Sequence, residues 1–396
     1  MSLPEVHLIG GSRPEAIRLA PVVAAMREAG LLRPVLVAGG PHPALLTQAL
    51  AAFDLVPDVT LRIVRTGSTQ AELLTEMIRR LDLRWTERTP AAVVVQGDTT
   101  TGLAGALAAF GRRIPVVHVD AGLRSGRLDS PFPNEANRRL LAQVATLHLA
   151  STPLAAMNLL DEHIATGDVL ITGNTAVDAT LAVAARKLPY ENAAVFASRV
   201  ESSNRLVLVT VHRRESWGEP LDRILAAVQT LVDKYPDIDV ILPSHPNPAV
   251  RGPVEAALSG VERVTVTAPL SYQDLSRLLS EAYLVLTDSG AIQQEAPSFG
   301  VPVLVLRDVT ERVEALNAGC AKLVGSDTAV LVREASLLLD SRLRRDAMTA
   351  AGNPYGDGLA ARRTAQATAA LLGLAEHPEP MPSLRTTPTF TFGANA

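Results

Sequence analysis

Short runs of apolar, mostly β-branched residues alternate along the chain with longer segments rich in alanine and leucine. This alternation predicts buried parallel strands joined by crossover helices, of which residues 14–29 and 102–110 are examples. The strands fall into two series. Six strands are predicted in the first series, at residues 6–9, 34–37, 92–95, 116–119, 147–149 and 169–172. Five are predicted in the second, at residues 206–211, 240–242, 264–267, 284–287 and 303–306.

The predicted fold class is α/β, with two doubly wound Rossmann-like domains of the GT-B architecture and a ligand cleft between them. A chain of 396 residues is too long for one hydrophobic core, and a connection at residues 188–192 separates the two series. Ligands of open α/β sheets bind beyond the carboxyl ends of the strands. The predicted divisions are an N-terminal domain at 1–186, a C-terminal domain at 187–355, a closing helix at 356–375 and a flexible tail at 376–396.

Composition and charge exclude several classes of protein. A net charge of −4 and a pI near 6.1 argue against bulk electrostatic binding, so we expect neither nucleic acid nor membrane as a partner. The single cysteine, Cys320, excludes an internal disulfide framework and favours the cytoplasm. No Cys/His cluster has the spacing of a metal site, and no signal peptide or apolar span is recognisable. We therefore expect a soluble cytoplasmic enzyme without a metal.

Two loops of the first series place charged side chains directly after a strand. Gly10-Gly11-Ser12-Arg13-Pro14-Glu15 opens a helix, and its glycines permit a tight turn with free N–H groups. Arg13 and Arg18 supply charge-assisted donors for a diphosphate. Gln96-Gly97-Asp98-Thr99-Thr100-Thr101 brings Asp98 to the edge of the sheet, where it is either a helix N-cap or a reacting carboxylate.

A third loop carries the most informative residues of the chain. His118-Val119-Asp120-Ala121-Gly122-Leu123-Arg124 ends a strand and delivers the carboxylate of Asp120 to the same edge. Further on, Glu135 is either a functional acid or a first-turn helix residue favoured by the helix dipole. Asn134 can orient a hydroxyl group or a water molecule, but an amide cannot act as a base.

The second series repeats this arrangement. The strand at 206–211 ends in Val211-His212-Arg213-Arg214-Glu215-Ser216, and a histidine placed there beside arginines favours a ligand-binding or catalytic role. Thr287-Asp288-Ser289-Gly290 runs from a strand into a helix. Ser289, Gly290 and the first helical N–H groups can therefore cradle a phosphate.

In order along the chain, these motifs resemble those of the non-hydrolysing UDP-N-acetylglucosamine 2-epimerases. That family reads Gly-Thr-Arg-Pro-Glu-Ala-Ile-Lys, Gly-Asp-Thr-Thr-Thr and Gly-His-Arg-Arg-Glu-Ser at the corresponding places. Two positions depart from its pattern. Asp120 stands where the family's His-Val-Glu-Ala-Gly-Leu-Arg has a catalytic glutamate, and Asn134 stands at the first glutamate of Pro-Glu-Glu-x-Asn-Arg.

The resemblance implies interconversion of UDP-N-acetylglucosamine and UDP-N-acetylmannosamine without NAD, metal or pyridoxal phosphate. A base removes the C2 proton and UDP leaves C1, giving 2-acetamidoglucal; UDP adds back after protonation of the opposite face. Asp98, Asp120 and His212 are the predicted reacting groups, with Glu135 in support. The substrate-binding residues implied are Arg13, Arg18, Asn134, Arg138, Arg213, His245, Ser289, Gly290, Glu295 and Arg312. Among them Glu295 is assigned to the ribose hydroxyls, Arg312 to the diphosphate and His245 to the vicinity of the nucleotide.

Three alternatives stay open at this point. Hydrolysing 2-epimerases share the fold and release free N-acetylmannosamine and UDP. A GT-B glycosyltransferase would need an acceptor site. The altered residues Asp120 and Asn134 also suggest a UDP-sugar binding protein without activity.

Two further expectations concern regulation and assembly. Many relatives bind a second UDP-N-acetylglucosamine as activator through a Gln-His-Arg-like loop. Here Pro41 and Ala44 occupy the glutamine positions and Gly67 replaces an arginine partner, so we predict that this activator site is absent. Family members are commonly homodimers, and we expect a homodimer here.

Overall fold

The computed structural model describes residues 2–41, 43–65, 67 and 69–383, which form two compact units. The first unit contains Met1–Val200, Leu270–Ser280 and Tyr355–Met381, and the second is built on Glu201–Pro269 and Glu281–Pro354. The boundary expected after residue 186 therefore lies inside the first unit. Residues 270–280, expected in the C-terminal domain, also group with the first unit.

The first unit is built on a parallel sheet whose strands, among the described residues, run in the order β3-β2-β1-β4-β5-β6-β7. The strands are β1 (Glu5–Gly10), β2 (Arg33–Ala38), β3 (Val59–Thr60), β4 (Ala92–Gln96), β5 (Val116–Ala121), β6 (Leu147–Ala150) and β7 (Val169–Ile171). The order reverses between β1 and β4, which is the switch point where doubly wound sheets bind ligands. Every strand predicted in the first series is present. Strand β3 was not predicted, because an edge strand of two residues leaves no period in the sequence.

The helices of the first unit begin at polar residues that cap them. Ser12, Thr99 and Thr152 each accept a hydrogen bond from a backbone N–H three residues later, which satisfies a donor that the helix leaves unpaired. The helices up to residue 200 are α1 (Arg13–Ala29), α2 (Pro43–Ala51), α3 (Gln70–Glu87), α4 (Thr100–Gly111), α5 (Asn134–Val144), α6 (Pro153–Asp161), α7 (Thr175–Ala185) and α8 (Ala193–Arg199).

The second unit repeats the topology on a smaller scale. Its described strands run in the order β10-β9-β8-β11-β12-β13, and the order reverses between β8 and β11. They are β8 (Arg205–Thr210), β9 (Ile238–Pro243), β10 (Val264–Thr267), β11 (Ala282–Thr287), β12 (Val303–Val305) and β13 (Ala321–Leu323). Strand β13, a three-residue edge strand containing Lys322, was not predicted for the same reason as β3.

The remaining helices divide between the two units. They are α9 (Glu219–Lys234), α10 (Pro248–Leu258), α11 (Tyr272–Glu281), α12 (Gly290–Glu295), α13 (Val313–Asn317), α14 (Thr328–Asp340), α15 (Arg342–Thr349) and α16 (Ala360–Leu371). Helices α11 and α16 belong chiefly to the first unit. Nothing in the described ranges forms a helix long and apolar enough to cross a membrane.

The closing helix α16 packs against α1 and is held at its start by a buried carboxyl group. Asp178 accepts hydrogen bonds from the N–H groups of Ala361 at 2.8 Å and Ala360 at 3.3 Å. Burial raises the pKa of Asp178 to about 6, against the opposing effect of these hydrogen bonds. Beyond α16, Met381 donates to the carbonyl of Ile171 at 2.7 Å, so the chain follows the outer strand β7 there. The predicted tail from residue 384 onward lies outside the described residues.

The predicted fold class, α/β with two doubly wound sheets, is confirmed. The strands are continuous apolar runs because helices cover both faces of each sheet. In the first unit the buried strand positions Leu8, Val94 and Val117 share a core with α1, and the alternate positions Ile9 and Val95 share a core with α4. The second unit has its own core around Val209, Leu242 and Leu286.

Candidate active-site residues in the two units

The loops after β1 and β4 pack closely at the switch point of the first sheet. A Cβ atom added to Gly11 would lie 2.5 Å from Oγ1 of Thr101, in the first turn of α4. Only glycine fits at such a distance. The start of α1, with Arg13, is therefore held directly against the start of α4, which follows Asp98.

Asp98 lies just after β4 and is surrounded by hydrogen-bond donors. Its Oδ1 accepts from Nδ2 of Asn134 at 2.7 Å, and its Oδ2 accepts from Nε and Nη2 of Arg138 at 2.8 and 2.6 Å. Its backbone carbonyl accepts from Nδ2 of Asn137 at 2.9 Å. Three side chains of α5 thus fix the position of this residue.

The N-cap of α4 is Thr99 and not Asp98. The Oγ1 of Thr99 accepts from the N–H of Gly102 at 3.0 Å. The capping role that the sequence allowed for Asp98 is therefore taken by its neighbour, and the Asp98 carboxylate is directed to α5 instead.

Asp120 occupies the end of β5 in the left-handed region of backbone conformation, with φ of 59°. Residues other than glycine are uncommon there and cluster at functional sites. Its Oδ2 accepts from Nε2 of Gln96 at 2.7 Å and lies 3.1 Å from Nε of Arg18. Arg18, predicted as a diphosphate ligand, thus pairs with a candidate reacting carboxylate in this structure.

Glu135 is completely buried on α5. Its carboxylate accepts from the N–H of Ser125 at 2.9 Å, from Nη1 of Arg138 at 3.1 Å and from Nε of Arg139 at 3.3 Å. Burial raises its pKa, but these donors lower it more, so the net pKa of Glu135 falls below its ordinary value. An ionised, enclosed Glu135 holds Arg138 and the loop after Asp120 in place.

The histidine of the third loop, His118, is buried within β5. Its Nε2 donates to the carbonyl of Gly97 at 2.7 Å, next to Asp98. Burial lowers the pKa of His118 to about 4, so the ring is neutral at physiological pH. No role was predicted for His118 from the sequence; its contact with Gly97 supports the loop that carries Asp98.

In the second unit a buried carboxylate shapes the loop after β8. Asp288 accepts from the backbone N–H groups of His212 at 3.0 Å and Arg213 at 2.9 Å, and from Oγ of Ser216 at 2.8 Å. The residue is fully buried. No role was predicted for Asp288 from the motif that contains it. The available signal was its position: an acid directly after a buried strand at a switch point.

Two arginines approach the start of α12. A Cβ atom added to Gly290 would lie 3.6 Å from Nε of Arg312 and 3.7 Å from Nη2 of Arg213. Ser289 is the N-cap of α12, and Glu295, its last residue, is buried. Because the helix has only six residues, its dipole is weak, and the guanidinium groups supply most of the positive charge. This arrangement suits an anion such as a phosphate.

The other predicted ligand-binding residues are placed separately. The imidazole ring of His245 lies against the indole of Trp217, with ring centroids 5.7 Å apart, and its Nδ1 accepts from the N–H of Asn247. Arg13 extends its Nη2 to the carbonyl of Leu270 at 3.5 Å. Within the described part of the chain no three His, Cys, Asp or Glu side chains gather in a way that could hold a metal ion.

Two Rossmann-like units with charged loops at their switch points define an α/β protein of the GT-B class, to which many nucleotide-sugar enzymes belong. The family model for UDP-N-acetylglucosamine 2-epimerase matches residues 24–369. The chain belongs to that family of isomerases.

Its relatives match over nearly their whole length. The UDP-N-acetylglucosamine 2-epimerase of Escherichia coli K12 is 42% identical over 368 residues, which is 92% of this chain and 98% of that protein. The co-structure of Staphylococcus aureus MnaA with UDP is similar at a TM-score of 0.82 and 38% identity, over 96% of this chain and 100% of the other. The Neisseria meningitidis enzyme bound to UDP-N-acetylglucosamine gives a TM-score of 0.80 at 37% identity, over 93% and 100%.

Proposed function

We propose that this protein interconverts UDP-N-acetylglucosamine and UDP-N-acetylmannosamine by elimination and re-addition of UDP, without releasing free sugar. The Neisseria meningitidis relative binds UDP-N-acetylglucosamine and the Staphylococcus aureus relative binds UDP, which supports this substrate. The observation that carries the proposal is the pair of carboxylates, Asp98 and Asp120, held by donors at the ends of neighbouring strands β4 and β5.

The reaction needs a proton to leave C2 on one face of the sugar and to return on the other. It also needs C1–O bond cleavage, so that the bonding electron pair leaves with UDP. We assign proton transfer to Asp98, Asp120 and His212, as more than one titratable group is required. Glu135 supports them by holding Arg138.

The UDP part of the substrate is assigned to the second unit. Arg213, Arg312 and the backbone at Gly290 offer a cationic anion site, which suits a diphosphate. Glu295, on the same helix, is assigned to the ribose hydroxyls and His245 to the vicinity of the nucleotide. Asn134 and Arg138 are assigned to the sugar side, and Arg13 and Arg18 of the first unit are assigned to the diphosphate.

Asp120 and Asn134 give this chain a different set of acids from the family pattern. Asp120 is shorter than glutamate by about 1.5 Å, and a misplacement of about 1 Å can cost about two decades of rate unless the surroundings compensate. The contact of Arg18 and Gln96 with Asp120 is a candidate for such compensation. Asn134 donates to Asp98 and leaves that carboxylate as the acid–base group of the pair.

Turnover in deuterated water followed by NMR tests the proposal. Deuterium at C2 of both UDP-sugars, with no free sugar, is the expected result. Free N-acetylmannosamine and UDP would identify a hydrolysing enzyme, and an unchanged substrate that nevertheless binds would identify a binding protein. We further propose that the protein is cytoplasmic and forms a homodimer. Light scattering of the purified protein checks the dimer.

A further inference from the structure

Glu15 is a completely buried carboxyl group to which the proposed chemistry gives no part. It lies in the first turn of α1, and its Oε2 accepts from the N–H of Gly11 at 3.0 Å. Burial raises the pKa of Glu15, while hydrogen bonds from Thr99, Ser12 and Gly11 oppose the rise. In the described part of the chain all of these partners are neutral donors. Enclosing a carboxyl group without a cation is costly, so the arrangement calls for an explanation.

One contact of Glu15 is local. Ser12, the N-cap of α1, and Glu15 together form a capping box. The hydroxyl group of Ser12 accepts from the N–H of Glu15, and the carboxyl group of Glu15 accepts from the N–H of Gly11. A capping box explains why an acid stands at this position of the helix. It does not explain the burial, because such boxes function equally well at exposed helix ends. Glu72 forms the same kind of box at the start of α3, where Thr69 is the N-cap, and is only partly buried.

The second contact of Glu15 is distant in sequence. Its Oε1 accepts from Oγ1 of Thr99 at 2.6 Å, and Thr99 is the N-cap of α4 and the neighbour of Asp98. One carboxyl group therefore joins the first turns of two helices at the switch point. The close packing of Gly11 on Thr101 shows that the two helix starts already touch, so the bond sets their exact relative position.

We infer that Glu15 is a positioning residue, which holds the start of α1, with Arg13 and Arg18, against the start of α4, which follows Asp98. Two contacts link these helix starts to the proposed reacting carboxylates. Arg18 reaches Asp120 from α1, and Asp98 is connected to α4 through Thr99. Loss of the bond between Glu15 and Thr99 would shift one carboxylate relative to the other. This inference rests on the proposed function, because the two carboxylates matter only if they transfer protons.

A double-mutant cycle tests the inference. Glu15→Ala and Thr99→Val each remove the bond, and each should lower kcat about tenfold to a hundredfold, as expected for a displacement of about 1 Å. KM should rise by less than kcat falls, since the UDP-binding residues proposed in the second unit are untouched and only Arg13 and Arg18 lie on the displaced helix. In kcat the double variant should be little worse than either single one, because both changes remove the same bond between Glu15 and Thr99. Each change also removes a helix cap, at α1 or at α4, and these separate losses should add up in the melting temperature. Thr99→Ser keeps the hydroxyl group and should recover most of the activity.

Glu72→Ala is the matched control, since it removes a capping box of the same kind at α3. It should lower thermal stability without lowering kcat. If Glu15→Ala behaves like Glu72→Ala, with a lower melting temperature and an unchanged kcat, Glu15 is a helix cap only and the inference is wrong. If the losses of kcat in the two single variants multiply in the double variant, the inference is also wrong. Turnover by the unaltered protein is measured first, because its absence would refute the proposed function instead.

Discussion

The two units carry similar sheets but use buried carboxylates in opposite ways. In the first unit Asp98 and Asp120 receive hydrogen bonds from side chains, chiefly arginines and amides, and remain partly exposed at the edge of the sheet. In the second unit Asp288 is fully enclosed and receives the backbone N–H groups of His212 and Arg213. The same position after a central strand therefore holds the proposed reacting groups in one unit and shapes a cation-bearing loop in the other.

This difference indicates how one fold serves two tasks. A carboxylate that transfers protons needs access to the substrate and partners that fix its geometry. A diphosphate needs cations, and a loop that presents them must be rigid. Changes at Asp98 and Asp120 should thus alter kcat, and changes to the arginine-bearing loop of the second unit should chiefly alter the affinity for UDP. His212, the reacting group proposed in the second unit, should affect kcat as well.

The largest effect is expected from Asp98→Asn. The amide keeps the shape but cannot accept a proton, so kcat should fall about 10²–10⁴-fold. The Kd for UDP, measured by calorimetry, should change by less than about threefold because the second unit is unaltered. Asp129→Asn, at an exposed position, is the control and should retain full activity. A large loss of UDP affinity in Asp98→Asn would contradict the proposal that the first unit carries the proton transfer and the second unit binds UDP.

Stability at low pH should depend on the first unit, where His7 and His118 are buried and their pKa values are lowered to about 4. As the pH falls, the unfolded chain binds protons near 6.5, before the folded protein does. The contribution of the two neutral rings to the free energy of unfolding is complete above pH 6.5. It is lost as the pH falls to about 4, by up to about 3 kcal/mol for each ring.

Urea unfolding at pH 7.5, 6 and 5 measures this dependence. His118→Gln keeps a donor for the Gly97 carbonyl and should flatten the slope between pH 6.5 and 4. His377→Gln, at an exposed position, should leave the slope as it is. An equal flattening in both variants would show that burial of His118 is not the cause.

Asp288→Asn tests the second unit. The amide supplies one acceptor where the carboxylate supplied two, so part of the loop that presents Arg213 loses its anchor. The Kd for UDP should rise about tenfold, or about 1.4 kcal/mol, and kcat at saturating substrate should fall less than in Asp98→Asn. Asp222→Asn, exposed in the first turn of α9, provides the control. Unchanged UDP affinity would contradict the role given to Asp288.

Asn134→Glu restores the family residue and should change the pH dependence of kcat. Its carboxyl group, one methylene further from the backbone than the amide, would lie beside Asp98, to which the amide now donates at 2.7 Å, and two carboxylates so close share a proton. The acidic limb of the pH–kcat profile should therefore move up by about one pH unit. Asn134→Gln, which keeps the amide, should leave the limb in place. Turnover and products unaffected by Asn134→Glu combined with Asp120→Glu would contradict the acid–base set proposed here.

The smallest effect is expected from added UDP-N-acetylglucosamine as an activator. With Pro41 in the loop after β2 and Ala44 in the first turn of α2, kinetics measured from UDP-N-acetylmannosamine should be hyperbolic and unaffected by traces of the other sugar nucleotide. Sigmoidal kinetics abolished by such traces would reveal an activator site built from other residues.

Much of the fold and the chemical character of the loops could be predicted from the sequence. Buried parallel strands are runs of apolar residues, so every predicted strand is present, and the turns after β1, β4, β5, β8 and β11 carry the expected polar residues. The short edge strands β3 and β13 and the grouping of α11 with the first unit could not be predicted. These features depend on contacts with residues distant along the chain, and such contacts leave no periodic pattern in the local sequence.

The sequence by itself determined the element types, the order of the motifs and the family, because hydrophobic periodicity and motif spacing are local properties of the chain. Only the tertiary structure decided which side chains meet. It paired Arg18 with Asp120, gave the N-cap of α4 to Thr99, enclosed Glu135 among arginines and joined Glu15 to a helix start 84 residues away. Such contacts depend on crossover connections that bring distant loops to one edge of a sheet.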